Sequence, residues 1–311
     1  MRAFVFPGQG AQAIGMGKGL ADAWPEARAV FDEVDEALGE KLSALIWEGD
    51  AETLTLTRNA QPALMATSMA AMAALKAEGV GIEAASYVAG HSLGEYSALC
   101  AAGALGLADA ARLLRTRGEA MQEAVPAGDG AMAALVGVDF EGAQAIAKEA
   151  AEGEVLEAAN DNDPSQVVIS GAKAAVERAL DVAKAHGAKR AILLPVSAPF
   201  HCALMEPAAR VMAEALDHVD MEDPAVPVVT NVRAGPVDDA AELRSGLVMQ
   251  VTGRVRWRES VDWMARQGVD AFWEIGAGKA LSGMIRRIAK KAATQQVGTP
   301  DEVRAAAASP G

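Results

Sequence analysis

Positive charge is scarce in this 311-residue chain: 28 Lys and Arg stand against 42 Asp and Glu, a formal net charge of −14. Nucleic-acid binders and anionic membrane surfaces both rely on cations, so neither partner class is expected. Cysteine is nearly absent. Cys100 and Cys202 make no disulfide framework and suit a reducing compartment, so a cytoplasmic protein is expected. No apolar run reaches the roughly 20 residues of a spanning helix. The longest candidate, Pro62 to Leu75, carries Thr67 and Ser68 and ends at Lys76. The N-terminal apolar run turns polar and glycine-rich at Gly8, too soon for a signal-peptide core. Aromatic residues are only 4% of the chain against a hydrophobic total of 51%, so the interior is aliphatic. That is material for one large domain with an insertion.

The most informative residues present are Gly90-His91-Ser92-Leu93-Gly94. They lie between the apolar run Tyr87-Val88-Ala89 and the helix-like Tyr96-Ser97-Ala98-Leu99. A serine at a sharp strand-to-helix turn projects its hydroxyl outward, and flanking glycines lack the Cβ atoms that would clash. The helix starting there offers free N–H groups to negative charge on an attacked carbonyl. A Gly-Ser turn that merely starts a helix is the alternative. The strand–turn–helix setting favours a nucleophile.

Ala3 to Phe6 reads as a buried strand. Pro62 near the first turn and Gly79 just past the end delimit a helix apolar almost all round, hence a core helix. A helix carrying Arg112, Arg115 and Arg117 follows the serine. From about 130 the pattern changes. Met132 to Val136, Val155 to Ala159, Gln166 to Ser170 and Arg190 to Leu194 read as strands, with helices at Phe140 to Ala151 and Ala172 to His186. That β-α-β-β-α-β order is the ferredoxin-like unit. The expected division is a large α/β domain over 1–127 and 197–311 and a small subdomain over 128–196. The large part resumes near Ser197, with strands at Val228 to Asn231 and Ala271 to Ile275. A helix from Ile285 to Ala293 and a frayed tail from Ala305 to Gly311 complete the reading.

A serine needs a base, most often histidine. Of four histidines, His91 adjoins Ser92 on one turn, where neighbouring side chains point apart. His186 precedes Gly187 at a helix end, and His218 sits in a charged segment. His201 remains, just after the small subdomain, as a base or as a structural residue. No acid between 92 and 201 announces itself as a third member. Glu95 reads equally as an ordinary surface residue, and a backbone carbonyl is the other orienting group. Gly8-x-Gly10-x-x-Ala13 has the form of a dinucleotide fingerprint, but Ala27 to Leu38 is helix-like where a second strand is needed. Gly276-Ala277-Gly278-Lys279 lacks the leading glycine and the following Ser or Thr of a phosphate loop.

Five segments carry a specific resemblance. Phe6 to Gln12 (FPGQGAQ), Gly90 to Leu99 (GHSLGEYSAL), Pro199 to Met205 (PFHCALM), Gln250 to Trp257 (QVTGRVRW) and Glu274 to Lys279 (EIGAGK) occur in order. They resemble the motifs of the malonyl-CoA:acyl carrier protein transacylases, the acyltransferase family of bacterial type II fatty acid synthesis. The likeness spans residues 3 to 290. It implies an α/β-hydrolase-like large domain with a parallel sheet plus the inserted ferredoxin-like unit. It also implies Ser92 as acylated nucleophile, His201 as base and the Gln250 carbonyl as its orienter. The N–H groups of Gln9 and Leu93 would form the oxyanion hole. Arg117 would clamp the malonyl carboxylate, a task that suits a guanidinium fork. His91, Asn160 and Asn162 would face the substrate, the two asparagines from a loop. Phe200 stands where many bacterial members have a small serine, and a bulky ring there favours malonyl over branched acyl groups.

The resemblance implies ping-pong transfer from a coenzyme A thioester to the phosphopantetheine of an acyl carrier protein, with no metal or cofactor and a monomeric chain. A thioesterase would share the nucleophile, and a silent interaction subunit would not need it. Lys189, Arg190, Arg286, Arg287, Lys290 and Lys291 are candidates for a basic docking face, although such runs are commonly solvated surface.

Overall fold

A computed structural model describes residues 1–196 and 198–309. In chain order its strands are β1 (Arg2–Phe6), β2 (Tyr87–Gly90), β3 (Gly130–Val136), β4 (Leu156–Asp163), β5 (Gln166–Ala172), β6 (Arg190–Leu193), β7 (Val228–Val229), β8 (Pro236–Val237), β9 (Ala271–Ile275) and β10 (Ala293–Val297). Six of them form one sheet in the order β10, β9, β1, β2, β7, β8, parallel except for β8. β1 is central, and Ala3 to Phe6 are fully buried. A strand covered on both faces reads as a continuous apolar run rather than an alternation, as it does here.

The other four strands form an antiparallel sheet in the order β4, β5, β3, β6, the ferredoxin-like arrangement. Alternation along β3 divides its work. Ala133 and Leu135 join a small core with Ile146 and Val176 from the helices Phe140–Ala151 and Lys173–Ala185. Met132 and Ala134 point the other way, into the main core. That second face roofs the cavity described below, through Met132 and Val168.

β4 is fastened to the large sheet's side of the molecule. Asn160 bridges Val255, Arg258 grips the buried Asp161 with bonds of 2.8 to 3.1 Å, and Arg287 Nε lies 2.8 Å from the buried Asp163. Asn160 and Asn162 therefore sit on a strand and not on a loop, a correction to the sequence reading. Four consecutive polar residues, Asn160 to Asp163, hide a strand from any hydrophobic pattern.

Other boundaries also differ. The core helix spans Thr57–Ala77, so Pro62 lies inside it, forfeiting the hydrogen bond to the Arg58 carbonyl. The helix expected at Ile285 to Ala293 is Ala280–Ile288, and Ala293 opens β10. As an edge strand, β10 keeps Thr294 and the two glutamines half-buried and lacks an apolar run. The expected frayed tail, Ala305 to Gly311, begins inside the helix Pro300–Ala307, which is started by a capping box between Thr299 and Glu302 and anchored by buried Val303 and Ala306. The expected strand Val228 to Asn231 shortens to β7. Ser197, Pro310 and Gly311 lie outside the described residues. No helix among the described residues is long and apolar enough to cross a membrane.

Candidate active site

β2 ends at Gly90 and the next helix spans Gly94–Ala101. Between them Ser92 takes a left-handed φ of 53°, a strained conformation for a residue with a side chain. Sterics explain both glycines. A Cβ on Gly90 would lie 1.9 Å from the Gly94 carbonyl, and one on Gly94 would lie 2.3 Å from the Phe6 carbonyl oxygen of β1. Two bonds hold the strained residue. Ser92 N–H donates to Asn231 Oδ1 at 2.7 Å, and Gln250 Nε2 donates to the Ser92 carbonyl at 3.0 Å.

The tertiary fold brings His201 Nε2 to 2.7 Å from Ser92 Oγ, across 109 positions of sequence. His201 Nδ1 lies 2.9 Å from the Gln250 carbonyl oxygen. A carbonyl only accepts, so Nδ1 carries the proton and Nε2 presents its lone pair to the serine hydroxyl. Burial, with help from the positive charge of Arg117, pushes the imidazole pKa down to about 3. The ring is therefore neutral and ready to accept a proton at physiological pH. His91 turns away from Ser92 and donates through Nε2 to Asn162 Oδ1 at 2.8 Å. His186 caps the helix Lys173–Ala185 and pairs with Glu149, and His218 is exposed.

Arg117, on the helix Leu107–Glu123, is 1% exposed. Its Nη1 donates to Gln61 Oε1 at 2.7 Å, and its Nη2 donates to Gln250 Oε1 at 2.8 Å and to Ser92 Oγ at 3.3 Å. A cavity of about 460 Å³ opens over these groups, lined also by Gln9, Leu93, Phe200, Asn160 and Asn162. Among the described residues, no acceptor is bonded to the N–H of Gln9 or Leu93. Both groups remain available to a negatively charged oxygen near Ser92. The Pro7-to-Gln12 turn is thus a wall of this cavity, and the helix Pro25–Leu38 occupies the stretch where a dinucleotide fold needs a strand. No cluster of three or more His, Cys, Asp or Glu suited to a metal occurs among the described residues.

Two residues under the site, Asn231 and Gln61, escaped the sequence reading, which left a third, Glu95, open between an orienting acid and a surface residue. Glu95 is fully buried, not a surface residue, because its helix runs directly beneath the elbow. Its Oε2 accepts from the Asn231 N–H at 2.8 Å and from Gln250 Nε2 at 3.2 Å. Asn231 also donates to the Gly90 carbonyl at 2.6 Å, and Gln61 holds the guanidinium. Only the polar positions of Gln61 and Glu95 within apolar stretches hinted at them. The six candidate docking cations are all exposed, with Arg286 bonded to Thr294 and Arg287 to Asp163.

A half-buried serine thus meets a buried imidazole and a buried guanidinium, and the chain as a whole was compared with known proteins. Residues 3–299 match the acyl transferase domain family. The chain belongs to that family. It is 50% identical over 305 residues to the malonyl CoA-acyl carrier protein transacylase of Bacillus subtilis, covering 98% of this chain and 95% of that one. Among solved structures, the acyl-carrier-protein S-malonyltransferase of Bartonella henselae is 55% identical with a TM-score of 0.96, covering 98% of each chain. Another acyl transferase relative is a malonyl-transacylase solved in complex with a type II PKS acyl-carrier protein. It is 44% identical with a TM-score of 0.95, again covering 98% of each chain.

Proposed function

We propose that this acyltransferase moves a malonyl group from malonyl-CoA to the phosphopantetheine thiol of an acyl carrier protein, supplying extender units for fatty acid synthesis. The supporting observation is the geometry at one oxygen: Ser92 Oγ lies 2.7 Å from His201 Nε2 and 3.3 Å from Arg117 Nη2. His201 takes the hydroxyl proton as Oγ attacks the thioester carbonyl. The Gln250 carbonyl keeps the imidazole in the tautomer that accepts at Nε2. The tetrahedral oxyanion rests on the N–H groups of Gln9 and Leu93, donors that contribute about 3 kcal/mol each when aimed at developing charge. The imidazolium returns its proton to the departing coenzyme A sulfur. In the second half, the carrier thiol gives its proton to His201 and attacks the malonyl ester, so the same groups act in reverse.

Arg117 supports malonyl as the acyl group, because an acyl chain on Oγ places its free carboxylate beside the guanidinium. Phe200 narrows the cavity against an α-branch, while His91, Asn160 and Asn162 line its polar side. We assign 1–127 with 197–311 as the catalytic body and 128–196 as the subdomain that roofs the cavity. The enzyme acts as a cytoplasmic monomer without a bound cofactor in this reading. Intact-mass spectrometry after incubation with malonyl-CoA should show one malonyl adduct per chain. Ser92→Ala should show none, and an adduct of equal yield in that variant would refute the assignment. Release of free malonate, with no transfer to a pantetheine thiol, would establish a thioesterase instead.

A further inference from the structure

Glu95 has no part in the transfer steps above, yet it lies fully buried beneath the nucleophile. Its Oε1 has no partner among the described residues. Its Oε2 receives Gln250 Nε2 at 3.2 Å, and the other end of that amide, Oε1, receives Arg117 Nη2 at 2.8 Å. One amide thus spans a buried cation and a buried carboxylate. Arg117 makes no direct ion pair among the described residues, so Glu95, through Gln250, is the anion that balances it. Burial raises the Glu95 carboxyl to about 7, opposed by the hydrogen bonds from Asn231 and Gln250 and, less strongly, by the Arg117 charge. The other ionisable group facing it is Tyr96, whose phenol burial pushes up to about 12 and so keeps uncharged. β1, β2 and the helix Thr57–Ala77, which pack on the Glu95 helix, bring no charge to it.

Resting on the malonyl reading, we propose that Glu95 is the counter-ion of Arg117 in the acyl-free enzyme, and that it takes up a proton when an acyl carboxylate docks on that guanidinium. The arriving carboxylate brings a second anion to a pocket holding one cation. Two anions around one buried cation are unfavourable, so a proton from solvent binds Glu95 and restores one charge of each sign. No bond to carbon is involved. Glu95 is a positioning and selectivity residue: while ionised it competes with the malonyl carboxylate for Arg117, and an acetyl group meets no such competition.

The test is kcat/KM for malonyl-CoA divided by that for acetyl-CoA, measured from about pH 5 to about pH 9; dividing the two cancels titrations common to both substrates. In the wild-type chain the ratio should fall about tenfold per pH unit above about 7, as malonyl binding comes to require a proton. In Glu95→Gln, which keeps size and hydrogen-bonding capacity, the ratio should be flat. A flat wild-type ratio, or an unchanged slope in the variant, overturns the inference. A second readout needs no variant. At about pH 8, the infrared difference between malonyl-enzyme and free enzyme should contain a carboxylic-acid carbonyl band that acetyl-enzyme lacks, and its absence also overturns the inference. Failure of malonyl-CoA to acylate Ser92 at any pH would instead sink the parent reading, and this one with it.

Discussion

Replacing Arg117 with methionine tests the selectivity argument most directly. The change keeps an unbranched, apolar stem in the buried slot and removes the charge. In the wild type the guanidinium is 1% exposed and positioned by Gln61 at 2.7 Å and Gln250 at 2.8 Å, so under the proposed clamp it would meet the acyl carboxylate already aimed and away from water. Hydrogen bonds to charged groups contribute about 1.5–3 kcal/mol each, and a fork makes two, so the loss is about 3–6 kcal/mol. At about 1.4 kcal/mol per factor of ten, kcat/KM for malonyl-CoA should fall by about 10² to 10⁴. Acetyl-CoA has no carboxylate to lose, so its kcat/KM should change by less than about tenfold. Single-turnover acylation of Ser92 by each thioester measures both numbers on one preparation. The acetyl arm is the internal control, since a misfolded variant loses both reactions. Equal losses for the two substrates would refute the clamp.

Three further outcomes follow from the elbow and the base. With its imidazole held near 3, below the 6.5 of a free histidine, folded His201 binds fewer protons than unfolded His201 between those values. Its contribution to stability is therefore present above about 6.5 and lost as pH falls toward 3. Acetyl transfer should likewise stay level from about pH 5 to about pH 8, and an acid limb centred near pH 6.5 would contradict the burial argument. Gly94→Ala forces a Cβ to 2.3 Å from the Phe6 carbonyl oxygen. It should destabilise the fold by about 1–3 kcal/mol, seen as a lower Tm, and abolish Ser92 acylation. Wild-type melting and acylation in that variant would show that the bend tolerates a side chain.

The sequence reading located Ser92 because the elbow is local: a strand, a turn and a helix with two glycines leave their mark within ten residues. His201 emerged because only four histidines compete and three have ordinary explanations. The ferredoxin-like unit was legible because its strands alternate and its helices, burying Ile146 and Val176, keep a helical period. Glu95 was left undecided for the opposite reason. Nothing beside a charged residue in sequence reports that another part of the chain will cover it. Asn231 and Gln61 were missed on the same ground, and β10 was missed because an edge strand needs little apolar surface.

By itself the sequence determined the bend at Ser92, the order of elements in the small subdomain and the acyl transferase motifs, all of which depend on contacts within a few residues. Only the tertiary structure decided which nitrogen faces the serine, which groups hold the buried guanidinium and which face of the small sheet roofs the cavity. Those outcomes depend on groups that converge from four helices, through Gln61, Glu95, Arg117 and Gln250, and from two connecting segments, through His201 and Asn231. Hydrogen bonds and charge interactions act over a few ångströms of space. Their partners are chosen by packing, which a linear pattern does not record.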